Sequence, residues 1–312
     1  MSDVMIELRN LRRSFGRTKA VDDVSFEVRK GQVFGYIGPN GAGKTTSMRI
    51  LATLDTPSAG DAFVDGFSVV NDPDRVRKRL GFMPDYFGTY PNMDVREYLD
   101  FFARSYGLMG AERGRAVRSV MSFTKLDGLA EKPIQGLSKG MKQRLCLGRT
   151  MIHDPAVMVL DEPAAGLDPR ARIQLREMIG QLAADGKAML ISSHILTELA
   201  EMCDRVAIIE QGRLLAVGTV NEIQHGAQPQ RTIQLTVLGG ADALGDWLSA
   251  RGDVHQIDTS GESARFVHDG TIETDADLLR EMIDAGFRIA AFGSQAKTLE
   301  DVFMQVTEGL VQ

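Results

Sequence analysis

Gly38-Pro39-Asn40-Gly41-Ala42-Gly43-Lys44-Thr45 decides the reading of this chain, because it fills every fixed position of the pattern G-x-x-x-x-G-K-[ST]. Ahead of it, Gln32-Val33-Phe34-Gly35-Tyr36-Ile37 is a short, nearly continuous apolar run that predicts a buried strand. Behind it a helix is predicted from Lys44 to Leu54. The glycines let the backbone wrap closely, so successive N–H groups point at phosphate oxygens, and the helix adds its N-terminal partial positive charge. The candidate nucleotide-binding residues are therefore Gly38, Asn40, Gly41, Gly43, Lys44, Thr45 and Thr46. Lys44 is expected to reach the β- and γ-phosphates, and Thr45 to ligate Mg²⁺.

A phosphate loop of this kind needs an acidic partner at the end of another strand. Val157-Met158-Val159-Leu160-Asp161-Glu162 supplies one. Alone it is only a strand running into a loop. Joined to the phosphate loop, Asp161 is expected to hold the magnesium ion or its water, and Glu162 to polarise a water for attack on the γ-phosphate.

Around these two motifs the chain alternates strand and helix. Short apolar strands are predicted at 157–160, 188–191 and 206–209, with helices at about 170–184 and 195–203 between them. Alternating segments at 5–8 and 24–28 read as strands on either side of a turn at Ser14–Arg17, and 92–131 and 138–151 as helical. The order predicts an α/β fold with a largely parallel sheet. Polar, Gly and Pro content marks 224–230 as a linker. After it come strand 231–238, helix 241–251, strands 253–259 and 263–268, helix 274–286, strand 287–292 and helix 298–308. Their first six elements run βαββαβ, the order of a ferredoxin-like α+β module. The 312 residues, at about 150 per domain, agree with two domains, 1–224 and 231–312.

Composition limits the function. Charged residues at 25% and hydrophobic residues at 43% are ordinary for a globular protein. A net charge of -6 gives no basic field for nucleic acid. No signal peptide and no run of ~18 apolar residues is present, so no span is expected. Cys146 and Cys203 are expected to be buried structural thiols in a reducing compartment.

Leu137-Ser138-Lys139-Gly140-Met141-Lys142-Gln143-Arg144 is a second helix start, with Ser138 as its N-cap, able to bind phosphate as the first does. This segment resembles the signature of the ATP-binding-cassette (ABC) transporter ATPases, usually Leu-Ser-Gly-Gly-Gln. The resemblance covers about residues 4–222, with every expected motif in order. Phe15 matches the aromatic that stacks on adenine, Asp85 falls at the Q-loop position, Asp168 matches the D-loop, and His194 matches the switch histidine.

What the resemblance implies is a P-loop cassette with a helical subdomain at about 86–152. Two copies close head to tail around two ATP molecules, Ser138 and Gly140 of each covering the γ-phosphate held by the other. Glu162 acts as general base, His194 contacts the γ-phosphate, and Asp168 links the two sites. Tyr86–Val95 is the candidate contact with a membrane permease on a separate chain, which would hold this chain at the cytoplasmic face of the membrane. Three departures stand out: Lys139 replaces a signature glycine, Met141 its glutamine, and Asp85 the Q-loop glutamine. A carboxylate can ligate Mg²⁺ but donates no amide hydrogen bond, so Asp85 is a weak candidate metal ligand.

Lys297-Thr298-Leu299-Glu300-Asp301-Val302-Phe303 is similar to a C-terminal segment of bacterial drug- and antibiotic-efflux ATPases, which points to an exporter. The alternative is a non-transport ABC ATPase of translation or DNA-repair type, but this chain has one P-loop, no long heptad run and no basic tract. A P-loop GTPase or kinase would leave the signature helix unexplained, and no Asn-Lys-x-Asp guanine motif occurs.

Overall fold

The computed structural model describes residues 3–296 except 87, 89, 91, 196–198 and 226–229. The predicted helix at 298–308 and the segment 297–303 lie outside the described residues. The chain divides into two compact units, Met1–Val217 and Gly218–Gln312.

The first unit opens with a long antiparallel hairpin of β1 (Val4–Phe15) and β2 (Thr18–Arg29). Val24, Phe26 and Val28 face inward and alternate with exposed Ser25, Glu27 and Arg29, the period of two that a half-buried strand requires. β3 (Val33–Ile37) is buried along its whole length, and α1 (Lys44–Leu51) follows. This helix stops before the expected Leu54. Thr53 turns left-handed (φ 57), and the N–H groups of Thr53 and Leu54 donate to the carbonyls of Ile50 and Arg49, which caps the C-terminus.

β4 (Ala59–Val64), β5 (Phe67–Ser68), α2 (Pro73–Arg79) and β6 (Leu80–Met83) come next. α3 (Val95–Ser105) starts at a reciprocal cap: Glu97 N–H donates to Asp94 Oδ1 at 2.8 Å, and Asp94 N–H to Glu97 Oε2 at 3.0 Å. α4 (Gly110–Phe123), two short 3₁₀ turns and α5 (Lys139–Met151) complete a helical group with its own core, including Tyr98, Leu99, Val120, Ile134 and Leu145. β7 (Val157–Leu160), α6 (Pro169–Ala184), β8 (Ala188–Ser193), β9 (Arg205–Glu210) and β10 (Arg213–Thr219) finish the unit.

Two sheets result, ordered β2-β1-β4-β5 and β10-β9-β3-β8-β7-β6. In the second, β3 lies parallel to β8 and β9, and β7 parallel to β6 and β8. The carboxyl ends of β3, β6, β7 and β8 therefore open along one edge, where an α/β sheet places its ligand. The sheet is mixed, since β10 returns from β9 through the two-residue turn Gln211-Gly212, both left-handed (φ 47 and 81). Cys146 and Cys203 are free and buried, and burial pushes the Cys146 thiol up to about 12.

His153, after α5, stacks on Tyr106 with ring centroids 3.7 Å apart, and its Nε2 lies 3.2 Å from the Leu80 carbonyl. Burial pushes its pKa down to about 4, and its Nδ1 has no partner. The folded state thus holds a neutral ring that the unfolded chain protonates near pH 6.5. The stability it contributes is complete above pH 6.5 and is lost as pH falls toward 4. His153→Gln keeps a donor for Leu80 and removes the titration. Its urea midpoint is expected to fall less than the parent's between pH 7 and 4.5, and equal falls would dismiss His153 as the source.

The second unit contains α7 (Val220–His225), β11 (Gln230–Val237), α8 (Asp242–Ser249), β12 (Val254–Ser260), β13 (Ser263–Asp269), α9 (Ile272–Asp284) and β14 (Ile289–Ala296). Its antiparallel sheet is ordered β12-β13-β11-β14. That order is the ferredoxin-like arrangement expected from βαββαβ, and Ile233, Leu235, Leu244, Phe266 and Leu278 build its core. α7 runs two residues into the stretch 224–230 that was expected to be a linker. Glu222 N–H donates to Thr219 Oγ1 at 3.1 Å and Thr219 N–H to Glu222 Oε2 at 2.7 Å. This Thr-x-x-Glu box was the signal in the sequence.

Candidate nucleotide site

The phosphate loop bridges β3 and α1, and two of its glycines are fixed by close backbone approach. A Cβ on Gly38 would sit 2.2 Å from the Ile209 carbonyl oxygen. Gly43, the N-cap of α1, has φ 108, and a Cβ there would lie 2.3 Å from the Ala20 oxygen. Gly41 is also left-handed (φ 83). No acidic residue occupies the first turn of α1, so the positive end of that helix faces the loop uncompensated. Thr45 is exposed and Thr46 half-buried at the same helix start.

Lys44 is 5% exposed, and its ammonium folds back over the loop, donating to the carbonyls of Gly38 at 2.6 Å and Pro39 at 3.2 Å. Burial lowers its pKa, while Glu162 and Asp161 act in the opposite direction. Glu162 Oε1 lies 3.9 Å from the ammonium, and Glu162 Oε2 lies 2.8 Å from His194 Nδ1. Asp161 is 2% exposed and accepts from Ser192 Oγ at 2.6 Å. The same Ser192 hydroxyl accepts from the Glu162 N–H at 2.9 Å, and Glu162 itself is left-handed (φ 49). Parallel pairing of Leu160 with Ile191 makes this possible, because it brings the residues after β7 beside the end of β8.

Lys44, Asp161, Glu162 and His194 are thus gathered at the carboxyl edge of the sheet. Asn40 is exposed in the loop beside them. The sequence reading missed Ser192, although it stands in the quoted Ser192-Ser193-His194. Only strand adjacency reveals its bridging place.

The other candidates lie apart. Ser138 caps α5, its Oγ accepting from Met141 N–H at 3.3 Å, and Asp168 caps α6, its Oδ1 accepting from Ala171 N–H at 2.9 Å. The two helix starts touch: a Cβ on Gly140 would lie 3.0 Å from Ala171 Cβ. Gln143 Nε2 donates to the Pro163 carbonyl at 2.7 Å, which ties α5 to the loop after Glu162. Asp85 is exposed two residues beyond β6, at the same sheet edge as Asp161. Phe15 is 50% exposed at the hairpin tip, with the Arg13 guanidinium 4.5 Å from its ring centroid. The expected permease contact, Tyr86–Val95, is described only in part.

The donors at the sheet edge are hard oxygens, the hydroxyl of Thr45 and the carboxylate of Asp161. Such a set suits magnesium, which takes one or two protein ligands and completes its shell with phosphate and water. No group of three metal-binding side chains occurs among the described residues.

A buried lysine in a glycine loop, two acids at the end of β7 and a second capped helix start define a P-loop nucleotide-binding cassette. Comparison with known proteins narrows this. Residues 21–165 match the family described as ABC transporter, and 218–307 the family described as ATP-binding protein DrrA1-3-like, C-terminal domain. The chain is 40% identical over 304 residues to Nod factor export ATP-binding protein I of Burkholderia lata, covering 97% of this chain and 96% of that protein. It is 28% identical over 308 residues to linearmycin resistance ATP-binding protein LnrL of Bacillus subtilis strain 168, covering 97% and 98%. A solved ATP-binding subunit of an ABC transporter superposes with TM-score 0.65 at 30% identity, over 71% of this chain and 92% of that one. A dimeric bacterial ABC transporter cassette shares the fold, with TM-score 0.63 at 23% identity over 69% and 98%.

The chain belongs to the ABC transporter family and is an ABC ATPase with a DrrA-like C-terminal domain. No helix among the described residues is long and apolar enough to cross a membrane.

Proposed function

We propose that the chain is the ATP-hydrolysing subunit of an exporter for a small amphipathic compound, a drug or antibiotic among them. It would work at the cytoplasmic face of the membrane with a permease on a separate chain. The observation that carries this reading is the likeness over 97% of the chain, through the C-terminal unit, to a protein named for Nod factor export. The likeness to a linearmycin resistance protein has the same reach. In this reading 1–224 is the nucleotide-binding domain, with the helical subdomain at about 86–152, and 231–312 is the accessory domain.

The chemistry assigned to the residues follows from their groups. Lys44, the loop N–H groups of Gly38, Asn40, Gly41 and Gly43, and the start of α1 at Thr45 and Thr46 hold the phosphates. Thr45 and Asp161 hold magnesium, with Asp85 beside them. Magnesium bound to ATP supplies charge neutralisation on the phosphate oxygens. Glu162 accepts the proton of the attacking water at a carboxylate oxygen, and His194 orients that carboxylate through Nδ1 and meets the γ-phosphate. Phe15 stacks on adenine. A second copy binds head to tail, its Ser138 and Gly140 covering the γ-phosphate and Asp168 joining the two sites.

The test is to look for a neighbouring reading frame that encodes a multispanning membrane protein and to co-express its product with this chain. A detergent-stable complex is expected, with ATPase activity that changes on adding amphipathic compounds. A chain that sediments with ribosomes or DNA and leaves the membrane protein free would overturn the reading in favour of a non-transport ATPase.

A further inference from the structure

The two charged departures from the family pattern, Asp85 and Lys139, have no hydrogen bond or ion pair among the described residues. Both are exposed. Asp85 adds a third carboxylate to the sheet edge that already carries Asp161 and Glu162, where Lys44 pairs with Glu162 at 3.9 Å. An additional negative charge beside a nucleotide triphosphate works against binding it. Lys139 presents the opposite imbalance. It is the first residue of α5, at a helix end that already carries partial positive charge, and no acid occupies that first turn. Its ammonium rests against Gly166, where a Cβ would come within 2.2 Å of it. Among the described residues neither charge has a counter-charge within ion-pair distance.

We infer that Asp85 of one copy and Lys139 of a second copy neutralise each other across the shared nucleotide. The pair takes the place of the neutral glutamine and glycine usual at these positions, and it makes ATP-driven closure specific to this pairing of charges. The inference rests on the head-to-tail reading proposed above: there, the α5 start of each copy covers the γ-phosphate held at the other's sheet edge. Lys139 is then a positioning residue that acts on the partner's site. Ser138 and Gly140 keep their phosphate-covering role.

The experiment uses Asp85→Gln and Lys139→Gly in full-length chains carrying Glu162→Gln, with ATP-induced dimerisation read by light scattering. ATPase turnover is read in parallel without the Glu162 substitution. Lys139→Gly alone, which leaves the Asp85 carboxylate facing the nucleotide, is expected to need about tenfold more ATP to dimerise, and Asp85→Gln alone, which leaves an ammonium beside the γ-phosphate, is expected to need no more than the parent. An equimolar mixture of the two single variants contains one native site and one neutral Gln–Gly site, so its midpoint is expected to return to within about threefold of the parent. The double variant, with two neutral sites, is expected to do the same.

If the double variant recovers and the mixture does not, the pair acts within one chain and the inference across copies falls. If the effects of the two substitutions simply add, there is no pairing and the inference falls. Failure of the parent Glu162→Gln chain to dimerise with ATP would remove the head-to-tail reading itself. The parent arm therefore separates the two failures.

Discussion

Glu162→Gln is expected to lower ATP hydrolysis by about 10²–10⁴-fold, the range a positioned general base contributes, while leaving nucleotide binding intact. The amide matches the carboxylate in shape and can still accept from His194 Nδ1, which lies 2.8 Å from Glu162 Oε2. It cannot take a proton from water. It also ends the 3.9 Å ion pair with Lys44 and frees that ammonium for phosphate. Phosphate release under saturating ATP, set beside titration with a fluorescent ATP analogue, measures the two effects separately. Turnover near that of the parent would take the base role away from Glu162.

Lys44→Ala acts on the other half of the cycle. Lys44 is nearly fully buried, and among the described residues its ammonium meets the loop carbonyls of Gly38 and Pro39 and the Glu162 carboxylate. An ammonium already desolvated in this way gains more from a phosphate than an exposed one would. Its removal is expected to weaken ATP binding by about 100-fold or more, which is about 2.7 kcal/mol. The nucleotide-free fold should survive, since Glu162 keeps its 2.8 Å contact with His194 Nδ1 when the Lys44 ammonium is gone. The clearest readout is thermal: ATP should raise the melting temperature of the parent and leave that of the variant almost unmoved. An equal shift in both would show that the loop N–H groups and α1 hold the nucleotide unaided.

The phosphate loop was legible because its chemistry is local: each fixed position needs a particular residue type, and eight consecutive residues carry it. The strands that lead into the phosphate loop and into the acidic pair, β3 and β7, announce themselves as short apolar runs because both faces are covered. The region between 59 and 83 was opaque. β4 includes Gly60 and Asp61 and pairs with β1, some fifty residues earlier, while β5 is two residues long and pairs only with β4 among the described strands. Propensity contributes little where a distant strand supplies the hydrogen bonds. The early end of α1 escaped for a related reason. Nothing in the residue type of Thr53 favours the left-handed turn that closes the helix.

Within the site, residue types pointed to Lys44, Asp161 and Glu162, but contacts did not follow from them. The Ser192 bridge requires β7 and β8 to be neighbours, and the Gln143–Pro163 tie requires α5 to lie over the loop after β7. Such relations belong to topology. The second unit gave the reverse experience: its βαββαβ order fixed the expected sheet order, because few chain paths satisfy it.

The helical group has a packed interior of its own, and none of its buried residues belongs to the core built around β1, β3 and α1. α5 nonetheless packs tightly on β6, where a Cβ on Gly81 would lie 2.4 Å from the Thr150 carbonyl oxygen. It also carries the polar tether Gln143–Pro163, worth about 1 kcal/mol net. A displacement of the loop after Glu162 therefore meets α5 as a push between close-packed backbones, with little slack to absorb it.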